Sequence, residues 1–249
     1  MTKRLTLIAA AAAALFLGAL IVGNGLGRGD PAQADVSDAT RAEIEQIVRE
    51  YILANPEIIP EAIAELRNRE ARGQIAANRE ALETPFESAW AGAPDGDVVL
   101  VEFYDYACPF CRRANADVQR LLAEDDRLKV VWRDMPVLGA ASREAAEASL
   151  AAAKVGRFRE YHDAMYADPR RVSEDKIYDV AAEAGLSQDM VDAAGRDPEI
   201  RQEIDRNLAL GRALGATGTP AYIIGDRRLD GAVGYEALKE AVAAARAGN

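Results

Sequence analysis

The sequence predicts an α/β domain in which a β-α-β unit and a closing β-β-α unit are separated by a long helical stretch, with a further helical segment ahead of them. Three observations carry this prediction. Val98 to Tyr104 is a nearly continuous apolar and β-branched run, the texture of a strand buried on both faces; a helical pattern (Val118, Leu121, Leu122) and a second strand, Leu128 to Met135, follow it. Residues 141–214 hold helix-spaced apolar positions, broken at Asp168-Pro169, Gly185 and Asp197-Pro198. Two short strands, Ala221 to Ile224 and Arg227 to Leu229, then meet around Gly225-Asp226, a hairpin signal, and a last helix runs from about Tyr235 to Arg246.

Composition narrows the function. The 249 residues include 51 alanines and carry 30 Lys plus Arg against 41 Asp plus Glu, a formal charge of -11. A chain this acidic has no broad electrostatic hold on nucleic-acid phosphates, so no nucleic-acid partner is expected. Two cysteines and one histidine are too few for a self-contained zinc site of four Cys/His ligands or for a framework of several disulfides. The two cysteines are therefore expected to act together, with no metal and no separate cofactor.

At the N-terminus, Lys3 and Arg4 precede an uncharged stretch from Leu5 to Val22, and Ala32-Gln33-Ala34 offers a small-x-small cleavage pattern. Residues 1–34 thus read as an export segment. Its apolar run is long for a signal core and at the lower edge of a membrane span, so cleavage after Ala34 and retention as a single anchor both stand. Either way the rest of the chain is expected in an oxidising compartment, the periplasm.

In residues 35–72, Ser37 or Asp38 can cap a helix with apolar positions Ile44, Ile47, Val48, Tyr51 and Ile52. Asn55-Pro56 interrupts it, and Ile58, Ile59, Ala62, Ile63 and Leu66 form a second periodic set. So small a helical unit cannot bury its own apolar stripes. A second copy in a homo-oligomer would cover them, as would the main domain of the same molecule. The charged run from Arg67 to Glu83 predicts a solvated helical linker, assigned to 73–90, ahead of a main domain at 91–249.

The chemistry centres on Cys108-Pro109-Phe110-Cys111. Cys-x-x-Cys opening a helix after a buried strand lets a dithiol close and open a disulfide without moving the backbone. The helix N-terminus stabilises a thiolate at Cys108, Pro109 suits the first helical position, and Arg112 and Arg113 add positive charge. Cys108 is then the nucleophile and Cys111, one turn in and more buried, the resolving thiol. An inert disulfide, or a pair of Cu(I) ligands, are the competing readings. Glu102 interrupts an apolar strand, where burial would raise its proton affinity and let it exchange the Cys111 proton; a carboxylate at the sheet edge or paired with an arginine is the alternative. Pro220, in Gly218-Thr219-Pro220, belongs at the first position of its strand; an ordinary trans bond is the commoner case for such a residue.

These residues resemble a known family. Glu102 to Cys111 (Glu-Phe-Tyr-Asp-Tyr-Ala-Cys-Pro-Phe-Cys), Trp132 to Gly139, Gly218 to Ile224 and Gly231 to Leu238 are similar to the DsbA family of secreted thiol-disulfide oxidoreductases, over roughly residues 85–247. The resemblance implies a thioredoxin fold with an inserted helical domain. It also implies a cis Pro220 lying against the dithiol, a Thr219 that contacts substrate backbone, Pro109 and Phe110 at the same substrate surface, and Glu102 as buried proton carrier. The redox-active Cys108–Cys111 disulfide stands in place of a cofactor.

The stretch from Val48 to Ile63 resembles the N-terminal domain of the ScsC-like branch, whose members are associated with copper tolerance and can oligomerise. Partners implied are unfolded or wrongly disulfide-bonded exported proteins and a membrane redox partner of DsbB or DsbD type. Oxidase and isomerase both remain open. Phe110 stands where many oxidising members have histidine, so the potential is expected between the DsbA extreme of about -120 mV and thioredoxin at about -270 mV. His162, in the inserted helices, reads as structural and away from the dithiol.

Overall fold

The computed structural model describes residues 37–248, so the expected export segment at 1–34 lies outside the described residues. The chain divides into two units at residue 60. In the first, helix α1 (Asp38–Ala54) starts where the capping residue places it: the Ser37 hydroxyl accepts from the Thr40 backbone N–H at 3.3 Å. No residue of α1 is buried, and Ile44, Ile47, Val48, Tyr51 and Leu53 are all exposed. Helix α2 (Ile58–Ala77) begins in this unit and continues into the next.

The second unit is built on a five-stranded sheet of order β1-β3-β2-β4-β5, with β1 (Trp90–Gly92), β2 (Val98–Tyr104), β3 (Leu128–Asp134), β4 (Ala221–Ile224) and β5 (Arg227–Asp230). β2 and β3 are parallel and joined by α4 (Pro109–Glu124); the other neighbours are antiparallel. Between β3 and β4 lie five helices, α5 (Ala140–Lys154), α6 (Phe158–Ala167), α7 (Glu174–Glu183), α8 (Gln188–Ala194) and α9 (Pro198–Ala213), and α10 (Tyr235–Gly248) closes the chain. Breaks at Asp168, Gly185 and Asp197 fall between these helices as expected. Ser173, Ser187 and Asp197 each accept a hydrogen bond from the first turn of the helix that follows.

The pleat of the central strands sorts the core into two faces, because successive side chains point to opposite sides. Leu100 and Tyr104 of β2, Val130 and Trp132 of β3, and Tyr222 and Ile224 of β4 share one apolar cluster with Cys108, Cys111, Ala114 and Val118 of the dithiol helix and its lead-in. Val101, Phe103, Val131 and Ile223 face the other way, onto Ile75, Leu82, Leu210 and Leu214.

That second cluster corrects the reading of 73–90 as a solvated linker. The run is charged, but Ile75 of α2 and Leu82 of α3 (Arg79–Glu83) are each 1% exposed and close one face of the sheet. Two isolated apolar residues in a charged stretch set no periodicity, so the sequence pattern hides them. β1 is likewise unpredicted, since three residues are too short for an alternation signal. Its end requires glycine: Gly92 has φ +91°, and a Cβ there would stand 2.1 Å from the Leu128 carbonyl oxygen.

Arg133 locks the N-terminal stretch onto the sheet. It projects from β3, is 2% exposed, and its guanidinium meets Glu203 of α9 at 2.7 Å while donating to the carbonyls of Ala81, Leu82 and Thr84. These carbonyls end α3 and have no partner within the helix. Truncating Arg133 leaves the buried Glu203 carboxylate with only the half-exposed Arg206 of its own helix and leaves several acceptors unpaired, so Arg133→Ala should lower unfolding stability by about 3 kcal/mol. Urea titration checks this, and a loss under about 1 kcal/mol would mean that the clamp contributes little.

Candidate functional site

The site forms where α4 begins, directly after the central strand. Cys108 is the N-cap of α4 and Pro109 its first residue, so the helix opens with free backbone N–H groups beside the first sulfur. The approach is held by Asp105, which the sequence reading did not single out. Asp105 is 2% exposed; one carboxylate oxygen accepts from the Ala107 N–H at 2.8 Å, and the other from the N–H groups of Val137 and Leu138 at 2.9 and 3.1 Å. It ties the turn before Cys108 to the loop after β3. A lone aspartate before an x-x-Cys motif carries no sequence signal for this role.

Both cysteines are free thiols. The Cys108 thiol donates to the Thr219 carbonyl at 3.2 Å, and the Thr219–Pro220 peptide bond is cis. Thr219 and Pro220 therefore stand against the nucleophile, 111 residues away in sequence. Phe110 is exposed at the mouth of the motif, with the Arg113 guanidinium 4.6 Å from its ring centroid.

The two thiols are driven apart in proton affinity. A hydrogen bond from the Cys111 side chain is the largest influence on Cys108; with the Thr219 side chain and the N–H groups of Cys111 and Phe110 it outweighs partial burial and brings the Cys108 pKa down to about 5. Cys111, fully buried, is pushed far up by burial first, then by its bond to Cys108 and by the charge of Glu102. One sulfur is thus a thiolate at neutral pH and the other a thiol. Neither Arg112 nor Arg113 is among the leading influences on Cys108. Arg112 donates to the carbonyls of Tyr166 and Asp168, bracing the inserted helices against α4, and Arg113 lies over Phe110.

Glu102 sits beneath this pair, 2% exposed, in the middle of β2. It is neither at the sheet edge nor paired with an arginine. Burial raises its pKa to about 8, opposed by the Trp132 indole, whose N–H donates to Oε2 at 3.0 Å, and by the Tyr222 hydroxyl. A carboxyl in that range takes and returns protons near neutral pH.

His162 is fully buried and held neutral, as a structural histidine would be: burial pulls its pKa well below the ordinary value. Its place differs from expectation, however. It lies 5.0 Å, ring to ring, from Trp132 and 3.2 Å through Nδ1 from the Tyr106 hydroxyl, so it is one side chain removed from Glu102. The long insertion hid this proximity in the sequence.

With this geometry in place, comparison with known proteins identifies the lineage. Residues 99–243, more than half of the chain, match the DSBA-like thioredoxin domain, and residues 41–72 match the copper resistance protein ScsC N-terminal domain. The chain belongs to the DSBA-like thioredoxin family. Its fold is the DsbA-like thioredoxin fold with a helical insertion, and its N-terminal segment places it in the ScsC-like branch.

Among solved DSBA-like structures, a thioredoxin-like oxidoreductase from Silicibacter pomeroyi is 36% identical, with a TM-score of 0.66, covering 68% of this chain and 98% of its own. Proteus mirabilis ScsC in a transitional conformation is 29% identical, TM-score 0.66, covering 86% and 100%. Among curated relatives, the Na(+)/H(+) antiporter NhaA 3 of Salinispora tropica is 30% identical over 156 residues, 62% of this chain. The match spans only 24% of that longer protein.

The Cys108 pKa sets a pH dependence. A thiolate pKa depressed from 9.0 to about 5 stabilises the reduced fold fully above pH 9, and that contribution is lost as the pH falls through 5. Thiolate absorbance at 240 nm in the reduced protein should titrate with a midpoint near pH 5, and Cys111→Ala should move it upward. A midpoint at 8 or above in the unmodified protein would refute the assignment of Cys108 as nucleophile.

Proposed function

We propose that this DSBA-like protein is an exported, periplasmic enzyme that oxidises or reshuffles the disulfides of other exported proteins through a mixed disulfide at Cys108. The observation that carries this reading is the opposite protonation of two thiols one helical turn apart, above a carboxyl that titrates near neutral pH.

In the oxidising direction a client thiolate attacks Cys108 Sγ of the Cys108–Cys111 disulfide. The sulfur–sulfur bond breaks, Cys111 leaves, and Glu102 supplies the proton it needs. A second client thiolate then attacks the client sulfur of the mixed disulfide, and Cys108 leaves as a stable thiolate. The client has lost two electrons and the pair has gained them. In reshuffling, the Cys108 thiolate attacks a wrong client disulfide, and Cys111 passes its proton to Glu102 if it must free the enzyme. A membrane partner of DsbB or DsbD type would return the pair to its working state.

Client binding is supported by exposed apolar groups around the motif. Phe110, Val137 and Leu138 are each about half exposed, and Asp105 holds the Val137-Leu138 loop beside the turn that leads to Cys108. Unfolded chains present apolar side chains to such a surface. Thr219, beside the thiol, and the cis Pro220 would hold client backbone as the family resemblance implies.

The N-terminal helices support a homo-oligomer. Ile44, Ile47 and Val48 of α1, and Ile59, Ile63 and Leu66 of α2, are exposed, an unfavourable arrangement in water unless another surface covers them. Several dithiols in one assembly would raise the effective concentration of a second contact with a client, which favours reshuffling. A second reading, capture of Cu(I) by the same dithiol, is favoured by the copper resistance description of the N-terminal match. Among the described residues no cluster of three or more His, Cys, Asp or Glu side chains could hold a metal ion, so this chain would offer copper two sulfurs. Binding of Cu(I) without reduction of insulin would favour that reading.

Attack and resolution belong to different sulfurs. Cys108→Ser should abolish exchange, while Cys111→Ser should accumulate mixed disulfides with clients on non-reducing gels; equal trapping by both variants would refute the division. Light scattering on the purified chain should return a mass of two or more copies at tens of micromolar, and a monomer would remove the basis for reshuffling by an assembly.

A further inference from the structure

Glu102 is not an isolated buried acid. It pairs in register with Trp132 on β3 and with Tyr222 on β4, so the three residues form a row across the central strands, on the face that carries the dithiol helix. Both flanking side chains end in hydrogen-bond donors. The Trp132 indole N–H is 3.0 Å from Glu102 Oε2. Tyr222 is fully buried, and its hydroxyl finds no partner of full hydrogen-bond geometry among the described residues; the carboxyl it reaches is that of Glu102. A buried hydroxyl without a partner is costly, and phenylalanine would fill the same space without that cost.

We infer that Tyr222 is a positioning residue of the exchange reaction: its hydroxyl and the Trp132 indole hold the Glu102 carboxyl from both neighbouring strands and so set the pH at which Glu102 accepts the Cys111 proton. This rests on the exchange chemistry proposed above. In the resolving step Cys111 Sγ attacks Cys108 Sγ of the mixed disulfide and the client leaves as thiolate. The Cys111 proton moves to the ionised Glu102 carboxylate, which must therefore be unprotonated beforehand. A donor to the carboxylate favours that ionised form, and Tyr222 acts on Glu102 in this direction against burial.

The other titratable and charged groups around the row are Cys111 on α4 and Tyr166 on α6, which both feel the Glu102 charge, Asp117 on α4, whose charge acts on Tyr222, and His162 and Arg159 on α6, 5.0 and 4.8 Å from the Trp132 ring centroid. Burial first, and then the charge of Glu102 with smaller contributions from Cys111 and Asp117, disfavours ionisation of Tyr222, so its hydroxyl keeps its proton and remains a donor. The dithiol chemistry alone would run with an apolar residue at this place, but its resolving step would then need a higher pH.

The test is the pH profile of resolution, followed as release of client thiol from a preformed mixed disulfide at Cys108, in the unmodified protein, Tyr222→Phe, Glu102→Gln and the double variant. Tyr222→Phe removes one oxygen and should move the rising limb upward by about one pH unit, slowing resolution about tenfold at pH 7. The carbonyl infrared band of protonated Glu102 should persist to correspondingly higher pH. In the Glu102→Gln background, Tyr222→Phe should change nothing further.

A limb unmoved by Tyr222→Phe, where Glu102→Gln does alter the profile, overturns this inference and leaves the proton-carrier reading intact. So does a slowing of equal size in both backgrounds, which would mean that Tyr222 supports only packing. A profile untouched by Glu102→Gln itself overturns both.

Discussion

Everything at the site depends on the register of β2 between β3 and β4. Because side chains alternate along a pleated strand, the pairing that sets Glu102 opposite Trp132 and Tyr222 also commits all three to the face under α4. A slip of one residue would carry the carboxyl to the other face, among Ile75, Leu82 and Leu210, and bring Phe103 or Val101 beneath the dithiol. The same alternation sends Arg133, the neighbour of Trp132, to the side where it binds the end of α3. Adjacent residues of β3 thus serve the proton site on one face and the attachment of the N-terminal stretch on the other.

With the register set, the division of labour between the sulfurs follows from position along one helical turn. Cys108 is at the open end of α4, where backbone N–H groups, the Cys111 thiol and Thr219 all favour negative charge. Cys111 lies inside the cluster, where burial opposes it. A thiolate that is stable at neutral pH is a good leaving group, and its stability favours the reduced pair, which makes the disulfide easier to reduce. This contrast arises from hydrogen bonds within the motif and the loop that faces it on the first sulfur, and from burial on the second. The two arginines after Cys111 are used elsewhere, one to brace the inserted helices and one to lie on Phe110. The helical insertion packs Tyr166 and His162, both uncharged in their buried surroundings, against the rings of Tyr104, Tyr106 and Trp132.

How much of this was legible in the sequence depended on whether the signal was local. The Cys108-Pro109-Phe110-Cys111 motif, the capping residue Ser37, the breaks at Asp168, Gly185 and Asp197, the β-branched run of β2 and the odd carboxylate within it are short-range patterns, and each marked its element because helix, strand and cap preferences act within a few residues. What Glu102 touches, which face Ile75 and Leu82 cover, that Asp105 joins two loops, that Thr219 meets Cys108, and that His162 stands behind Trp132 were decided only by tertiary structure. Those contacts join residues that strand register and helix packing bring together from distant parts of the chain. A single sequence records the preference of each residue for its own neighbourhood, whereas proton affinity at a buried site is set by the groups that folding places within a few ångströms of it.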